Sequence, residues 1–372
     1  MAYQFSASFD YLTTASQLFD TVSGAVAFNS ASARFTSTHG QGVSFPQNSF
    51  LKKILPSSQP TLIMGAAVKF GSLNNNTTFV FGLFDTNGSL TVPQTCLVVN
   101  SAGALQFYRG TPTTNAIGAA SASVISAGAW HFIEIQVTIN NSTGSVQAWV
   151  DGNSVIGPTG SLNTRSQTLN SANMLSIGDI GGGFSIGTNM VMDDLYCFDT
   201  TGSVLNSVAG DSRFVVAMPS GPGAYTQFTP AGAAQNWQCV DEIPPNDDTD
   251  YVADGTTGDR DSYDYESQSF SGNAIMVVPW ARVRKDDAAS RSIELSVLNG
   301  GNDAFSSSIP VLSTYSYVNG GAFTTNPNGG GAIDQTAFNA TEFGAKIVSP
   351  GEIPLTFGNA MSESDSVAKT LA

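Results

Sequence analysis

Hydrophobic and polar positions alternate with a period of two along most of this chain. The clearest case is "AWHFIEIQVTINNSTGSVQAWVDGNSV" (129–155). There Ile133, Ile135, Val137 and Ile139 alternate with Phe132, Glu134, Gln136 and Thr138, the spacing of a half-buried strand. "NNSTG" supplies a turn, Val146, Ala148 and Val150 resume the alternation, and Asp151-Gly152 marks a further turn. The pattern predicts a long antiparallel hairpin with one buried face. Shorter runs of the same kind are "QPTLIMGAAVKF", "TTFVFGLFDTNGSL", "CLVVNSAGALQFYRG" and "MLSIGDIGGG". Each is bounded by Gly, Asn, Asp or Pro, the spacing of a two-sheet sandwich or jelly roll.

A helical period is nearly absent. "NSFLKKILPSS" (48–58) is the best candidate, one or two turns ending before Pro56. "NMVMDDLYCFDTTGSVLN" (189–206) reads as a closing strand with Met192, Leu195 and Phe198 buried. Alternation weakens over 203–266 and returns at "NAIMVVPWARV" (273–283) and "SIELSVLN" (292–299), which predict a second hairpin. "IPVLSTYSYV" and "FGAKIVSPGEIPLTFG" add two or three strands, and "AMSESDSVAKTLA" is a polar tail. The organisation expected is all-β: an antiparallel β-sandwich over 1–200, a Gly/Pro/Asp-rich connector over 201–266, a smaller β domain over 267–360 and a tail over 361–372.

Composition agrees, since 372 residues with 41% apolar content suffice for two cores, while only 12% are charged. A net charge of −15 excludes a phosphate-binding surface of clustered Lys and Arg. The local exception, Arg282, Arg284, Lys285 and Arg291, reads as one strand face plus a turn, with an inter-subunit contact as the other reading. Cys96, Cys197 and Cys239 have neither zinc nor disulfide-framework spacing and are expected as buried free thiols in a reducing cytoplasm. The start "MAYQFSASFDYL" lacks the features of a signal peptide, and no apolar run reaches membrane-spanning length.

Candidate chemistry concentrates in "DEIPPNDDTDYVADGTTGDRDSYDYE" (241–266), where ten of the chain's 29 acids sit beside a single Arg. An EF-hand register on Asp250, Asp254 and Gly255 fails because Val252 falls where an oxygen ligand is required. Asp247, Asp248, Asp250 and Asp259 remain candidates for a looser calcium site. The reading taken is the alternative, Asx-turns and a solvated connector stiffened by Pro244-Pro245, with no metal, no cofactor and no catalytic residue. A glycosidase would need two facing carboxylates. Glu134 stands alone on its strand, and "ESD" (363–365) sits in the tail. His39 lies in a turn and His131 reads as a core or edge histidine, with no G-x-S-x-G elbow in the chain. "GDIGGG" (178–183) has no helix after it to bind phosphate. Trp130, Trp149, Trp237 and Trp280 read as core or interface residues, so no sugar site can be nominated.

Two resemblances add to this. "GQGVSF" (40–45), "AWHFIEIQVTINNSTGSVQAWVDG" (129–152) and "MVMDDLYCFD" (190–199) resemble the concanavalin A-like, laminin G-like jelly roll. That resemblance implies the fold of the first half and leaves sugar binding open, because the scaffold hosts lectins, glycosidases and structural modules. "DDLYCFDTTGSVLN", "GDSRF", the "QNWQCVDEIPPNDDTDYVADGTTGDRDSYDYE" stretch and "VRKDDAASRSIEL" resemble a segment of tailed-bacteriophage virion proteins, over about 190–300. It implies a virion structural protein without fixing its place on the particle. The role taken is a non-enzymatic, tail- or fibre-associated component, made in the host bacterial cytoplasm. Its partners would be other virion proteins in a symmetric homo-oligomer, with neither nucleic acid nor membrane as a ligand. The alternatives are a capsid decoration protein or head fibre, and a lectin-like module for a host surface glycan.

Overall fold

The computed structural model describes residues 2–35, 39–73, 78–110, 115–179 and 190–349, and the backbone of the strands Ile353–Thr356 and Ser362–Asp365. The chain is all-β and antiparallel, and it divides into two compact units, 1–212 and 213–372. Among the described residues no helix is long and apolar enough to cross a membrane.

The first unit contains two sheets. One orders the strands Asn153–Leu162, Gly144–Val150, Trp130–Thr138, Thr61–Phe70, Met190–Asp199, Gly42–Phe45 and Ala27–Asn29, with Tyr3–Ala7 also paired to Met190–Asp199. The other orders Ala116–Ile117, Leu105–Arg109, Thr95–Val99, Thr78–Phe84, Ala172–Gly178, Phe50–Gln59 and Thr21–Ser23. The expected hairpin forms in register, with Ile133 opposite Val150 and Val137 opposite Val146. Its apolar row continues across Leu62, Met64 and Ala66 on the next strand, all at most 1% exposed. Met192, Leu195 and Phe198 are fully buried as their pattern predicts.

Three expectations change here. Residues Phe50–Gln59 are a strand, not a helical turn. Leu51 and Leu55 are both buried, and a spacing of four satisfies a period of two as well as one of 3.6. Pro56 sits where the register with Ala172–Gly178 shifts, at an irregularity where its missing N–H breaks no ladder. The hairpin also buries both faces at its centre, because Phe132 and Glu134 are at most 1% exposed. Here a row runs across three strands, with Glu134 opposite Gly65 and Gly65 opposite Tyr196. The Tyr196 ring crosses Gly65 to donate its hydroxyl hydrogen bond to Glu134 Oε1. A Cβ on Gly65 would lie 2.3 Å from the ring, so the position excludes a side chain.

The third change concerns the second unit. It starts at residue 213, so most of the expected connector folds within it. Strands Tyr251–Asp254 and Arg260–Tyr265 run through the acidic stretch, with Val252, Asp261 and Tyr263 fully buried. Pro219–Thr226, Arg260–Tyr265, Thr341–Ile347, Arg291–Asn299 and Asn302–Phe305 lie in sequence in one sheet. Trp280–Val283 belongs to a second sheet, between Ile353–Thr356 and Ser316–Asn319, and Asn273–Val278 to a third, between Ser362–Asp365 and Ile333–Asp334. The predicted second hairpin therefore does not form. Pro279 separates 273–278 from 280–283, and each piece pairs with strands distant in sequence. Ser362–Asp365, placed in the tail by its polarity, contributes a strand between Phe214–Val216 and Asn273–Val278. The core of this unit gathers Tyr263, Ile293, Leu295, Phe338 and Phe343.

The Gly65 contact generates a test. Replacing Gly65 by Ala should destabilise the first unit by about 1–3 kcal/mol, the ordinary cost of overpacking, as a lower midpoint in urea unfolding.

Candidate functional site

The acids that dominate the sequence are built into the framework. On the outer face of the first sheet, Glu134 Oε1 accepts from the Gly210 amide at 2.8 Å as well as from Tyr196, and the Tyr196 hydroxyl accepts from the Ala209 amide at 3.0 Å. Burial pushes the Glu134 carboxyl up, and the hydrogen bonds from Tyr196, Gly210 and Ala209 oppose that shift. Beside it the strand Met190–Asp199 shifts register between Asp193 and Tyr196, with Asp194 at φ 57°. Asp193 accepts from the Arg34 and Asp194 amides, both at 2.9 Å. Arg34 reaches Asp194 at 3.3 Å, Asp211, and the Ser212 carbonyl at 3.1 Å. Burial works against the Arg34 charge, yet Asp194 and Asp211 outweigh it and hold the guanidinium charged. These contacts strap residues 209–212 over the sheet and bury its second face.

The calcium candidates are dispersed among other partners. Asp247 takes a bidentate bond from Arg282, with Nη2 to Oδ2 at 2.7 Å. Asp248 accepts from Arg284 at 2.9 Å and from the Tyr315 hydroxyl at 3.0 Å. The Arg282 and Arg284 guanidinium groups share one strand face, 5.3 and 5.2 Å from the Tyr315 ring centre. Asp259 accepts from Gln227 at 3.3 Å. Asp250 lies instead beside Asp241 and Glu242. Burial, then the Asp250 and Asp241 charges, push Glu242 up to about 7. Among the described residues no group of three or more His, Cys, Asp or Glu is arranged to hold a metal ion.

One constellation had no signal in the sequence. His131 Nδ1 lies 2.8 Å from Asp151 Oδ2, and its Nε2 lies 3.0 Å from Ser126 Oγ. The Ser126 amide donates to the same Nε2 at 3.1 Å, so Nε2 is the acceptor and Nδ1 carries the proton donated to Asp151. Asp151 Oδ1 is held in turn by the Phe132 amide at 2.8 Å. This is the connectivity of a nucleophile, base and carboxylate. Its geometry is that of a clasp, since the histidine nitrogen is shared with the serine's own amide and Ser126 is exposed on a loop. His39 is half-buried in the loop before Gly42–Phe45.

Other sequence candidates fall as follows. Of "GDIGGG", Asp179 is buried and accepts from the Asn48 amide at 3.2 Å, while residues 180–183 lie outside the described residues. The side chains of 363–365 also lie outside them. Cys96, Cys197 and Cys239 are buried and unpaired with one another. Trp280 is a core residue, its ring 5.2 Å from that of Tyr317. Trp130 sits under Lys69 Nζ at 5.0 Å, and Trp149 is half-buried on its strand. Trp237 differs from these. It is half-buried on the short 3-10 turn Asn236–Cys239 and lines an open cleft of about 370 Å³ in the second unit. Phe228 and Tyr263 lie beneath, and Pro222 and Pro230 also border the cleft. A smaller cleft of about 290 Å³ in the first unit is bordered by Arg109, Asn115, Ile117 and Leu162.

No protein-family model matches the chain, and no curated protein matches it. Solved structures to which it is similar include the Trypanosoma rangeli sialidase, at 15% identity and TM-score 0.33 over 49% of this chain and 29% of that one. Another is domain 4 of a GH43 extracellular arabinanase from Geobacillus stearothermophilus in complex with arabinotriose, at 15% identity and TM-score 0.33, covering 53% and 93%. A third is a carbohydrate-binding module from Bacillus subtilis, at 12% identity and TM-score 0.31, covering 48% and 94%. The chain spans less than a third of the sialidase's length.

Two tests follow from these sites. A fluorophosphonate probe should leave Ser126 unmodified under conditions that label a serine hydrolase, as read by peptide mass spectrometry. For Glu242 the folded carboxyl titrates above its ordinary value of 4.5, so its contribution to stability is present at low pH and is lost as pH rises through about 7. Glu242→Gln should therefore match the native protein in thermal midpoint at pH 4, below the ordinary value, and exceed it at pH 8.

Proposed function

We propose that this protein is a non-enzymatic structural component of a tailed-bacteriophage virion, tail- or fibre-associated, that works by docking on other virion proteins as a symmetric homo-oligomer. The observation that carries the reading is where the words of the virion resemblance fall. Asp193, Asp194 and Tyr196 of "DDLYCFD" and Gly210 and Asp211 of "GDSRF" form the strap over the first sheet. Asp247 and Asp248 of "PPNDDTDYV" pair with Arg282 and Arg284 of "ARVRK". Asp261 of "GDRD" accepts from the Phe228 amide at 2.9 Å, from Asn236 and from the Tyr263 hydroxyl at 2.9 Å. Acids with these partners hold strands and loops in place and are not arranged to transfer protons to a substrate. That is what a building block requires, because docking on a repeating shell or tube depends on a surface of fixed shape.

A capsid decoration protein or head fibre would use the same framework, and the position on the particle separates the two. Immuno-electron microscopy of assembled particles, with an antibody to this protein, reads it directly. Regular labelling along the tail or its fibres is the expected result. Labelling of the head would transfer the role to decoration, and absence from purified particles would overturn the virion reading.

A further inference from the structure

We propose that the cleft beside Trp237 in the second unit is a binding site for a neutral saccharide of one or two pyranose rings. Four features of the cleft point to that class. The first is size, since about 370 Å³ lies at the small end of ordinary ligand pockets. The second is charge. None of the residues that line the cleft is ionised at neutral pH, in a protein of net charge −15, so neither an anion nor a cation finds a counter-charge there.

The third feature is an aromatic lining bordered by amides. The half-buried Trp237 lines the cleft together with the buried rings of Phe228 and Tyr263. A pyranose ring has the matching character, an apolar C–H face edged by hydroxyls, and an aromatic plate with fixed polar groups serves both. The fourth is preorganisation. The Trp237 indole N–H donates to Gln235 Oε1 at 2.9 Å, which fixes both side chains. Asn236 Nδ2 donates to the Phe228 carbonyl at 2.8 Å and to Asp261. Those bonds assign the amide orientations, leaving Gln235 Nε2 as a donor and Asn236 Oδ1 as an acceptor for sugar hydroxyls. Asp261 is thus a positioning residue, buried behind Asn236 and screened from the cleft.

A lectin site built on loop carboxylates would bind through calcium, whereas no carboxylate lines this cleft. Retention should therefore survive a chelator. The site is independent of where the protein sits on a particle, so its test and the microscopy fail separately.

The experiment uses the purified full chain on a printed array carrying neutral glycans (maltotriose, cellotriose, lactose, methyl α-mannoside) and acidic ones (sialyllactose, oligogalacturonate), in calcium and in EDTA. Retention of at least one neutral glycan, equal in both buffers, is expected. Trp237→Ala should then weaken it about tenfold or more, the loss of roughly 1.4 kcal/mol that an aromatic contact supplies, while Trp237→Phe stays within about threefold. Because Trp237 also packs on the core, Gln235→Ala supplies a second variant on the surface, expected to weaken binding about three- to tenfold. Retention of acidic glycans alone, of no neutral glycan, or of neutral glycans undiminished in Trp237→Ala and Gln235→Ala would overturn the proposal.

Discussion

The hydrogen bond from Tyr196 to the buried Glu134 carboxyl organises the first unit. A carboxyl withdrawn from water is costly unless its oxygens find donors, and here the donors are a tyrosine two strands away and the backbone amide of Gly210. Reaching Glu134 requires the ring to lie across the intervening strand, which requires glycine at 65. It also requires residues 209 and 210 to lie on the sheet. The glycine and the strap both serve that one group, and Arg34 secures the strap further through Asp194 and Asp211.

The second unit solves the same problem with Asp261. Burial pushes this carboxyl up, and Asn236, the Phe228 amide and Tyr263 oppose the shift. The bond to Asn236 fixes the turn that carries Trp237, so the interior of the unit and the shape of its cleft are one construction. Glu242 behaves otherwise, because burial and then the Asp250 and Asp241 charges push its carboxyl up. That carboxyl responds to pH, while Asp247 and Asp248 are held by arginines.

Much of the architecture was legible in the sequence. Alternation over 129–155 gave the hairpin, and the burial of Met192, Leu195 and Phe198 followed from their pattern. The functional face was less legible. Glu134 reads as a lone surface acid because its partners lie 62 and 76 residues away, and Arg34 meets Asp194 across 160. Tyr263 and Tyr265, spaced by two with Asp261, were a usable signal that 260–265 is a strand. Trp237 carried none, since an aromatic in a Gly/Pro-rich stretch reads alike as core, interface or platform.

What the sequence determined by itself is the local state of the backbone. A period of two, Gly, Asn and Pro at turns, and scarce Glu, Lys and Arg specify strands and all-β class, because side-chain alternation is set by neighbouring peptide units. The tertiary structure alone decided which strands pair. It separated 273–278 from 280–283 and made Phe50–Gln59 extended. It also turned an apparent connector into part of a folded unit. Pairing partners, the burial of a charge and the mouth of a cleft all depend on residues brought together from distant parts of the chain, and alternation is the same whichever strand lies alongside.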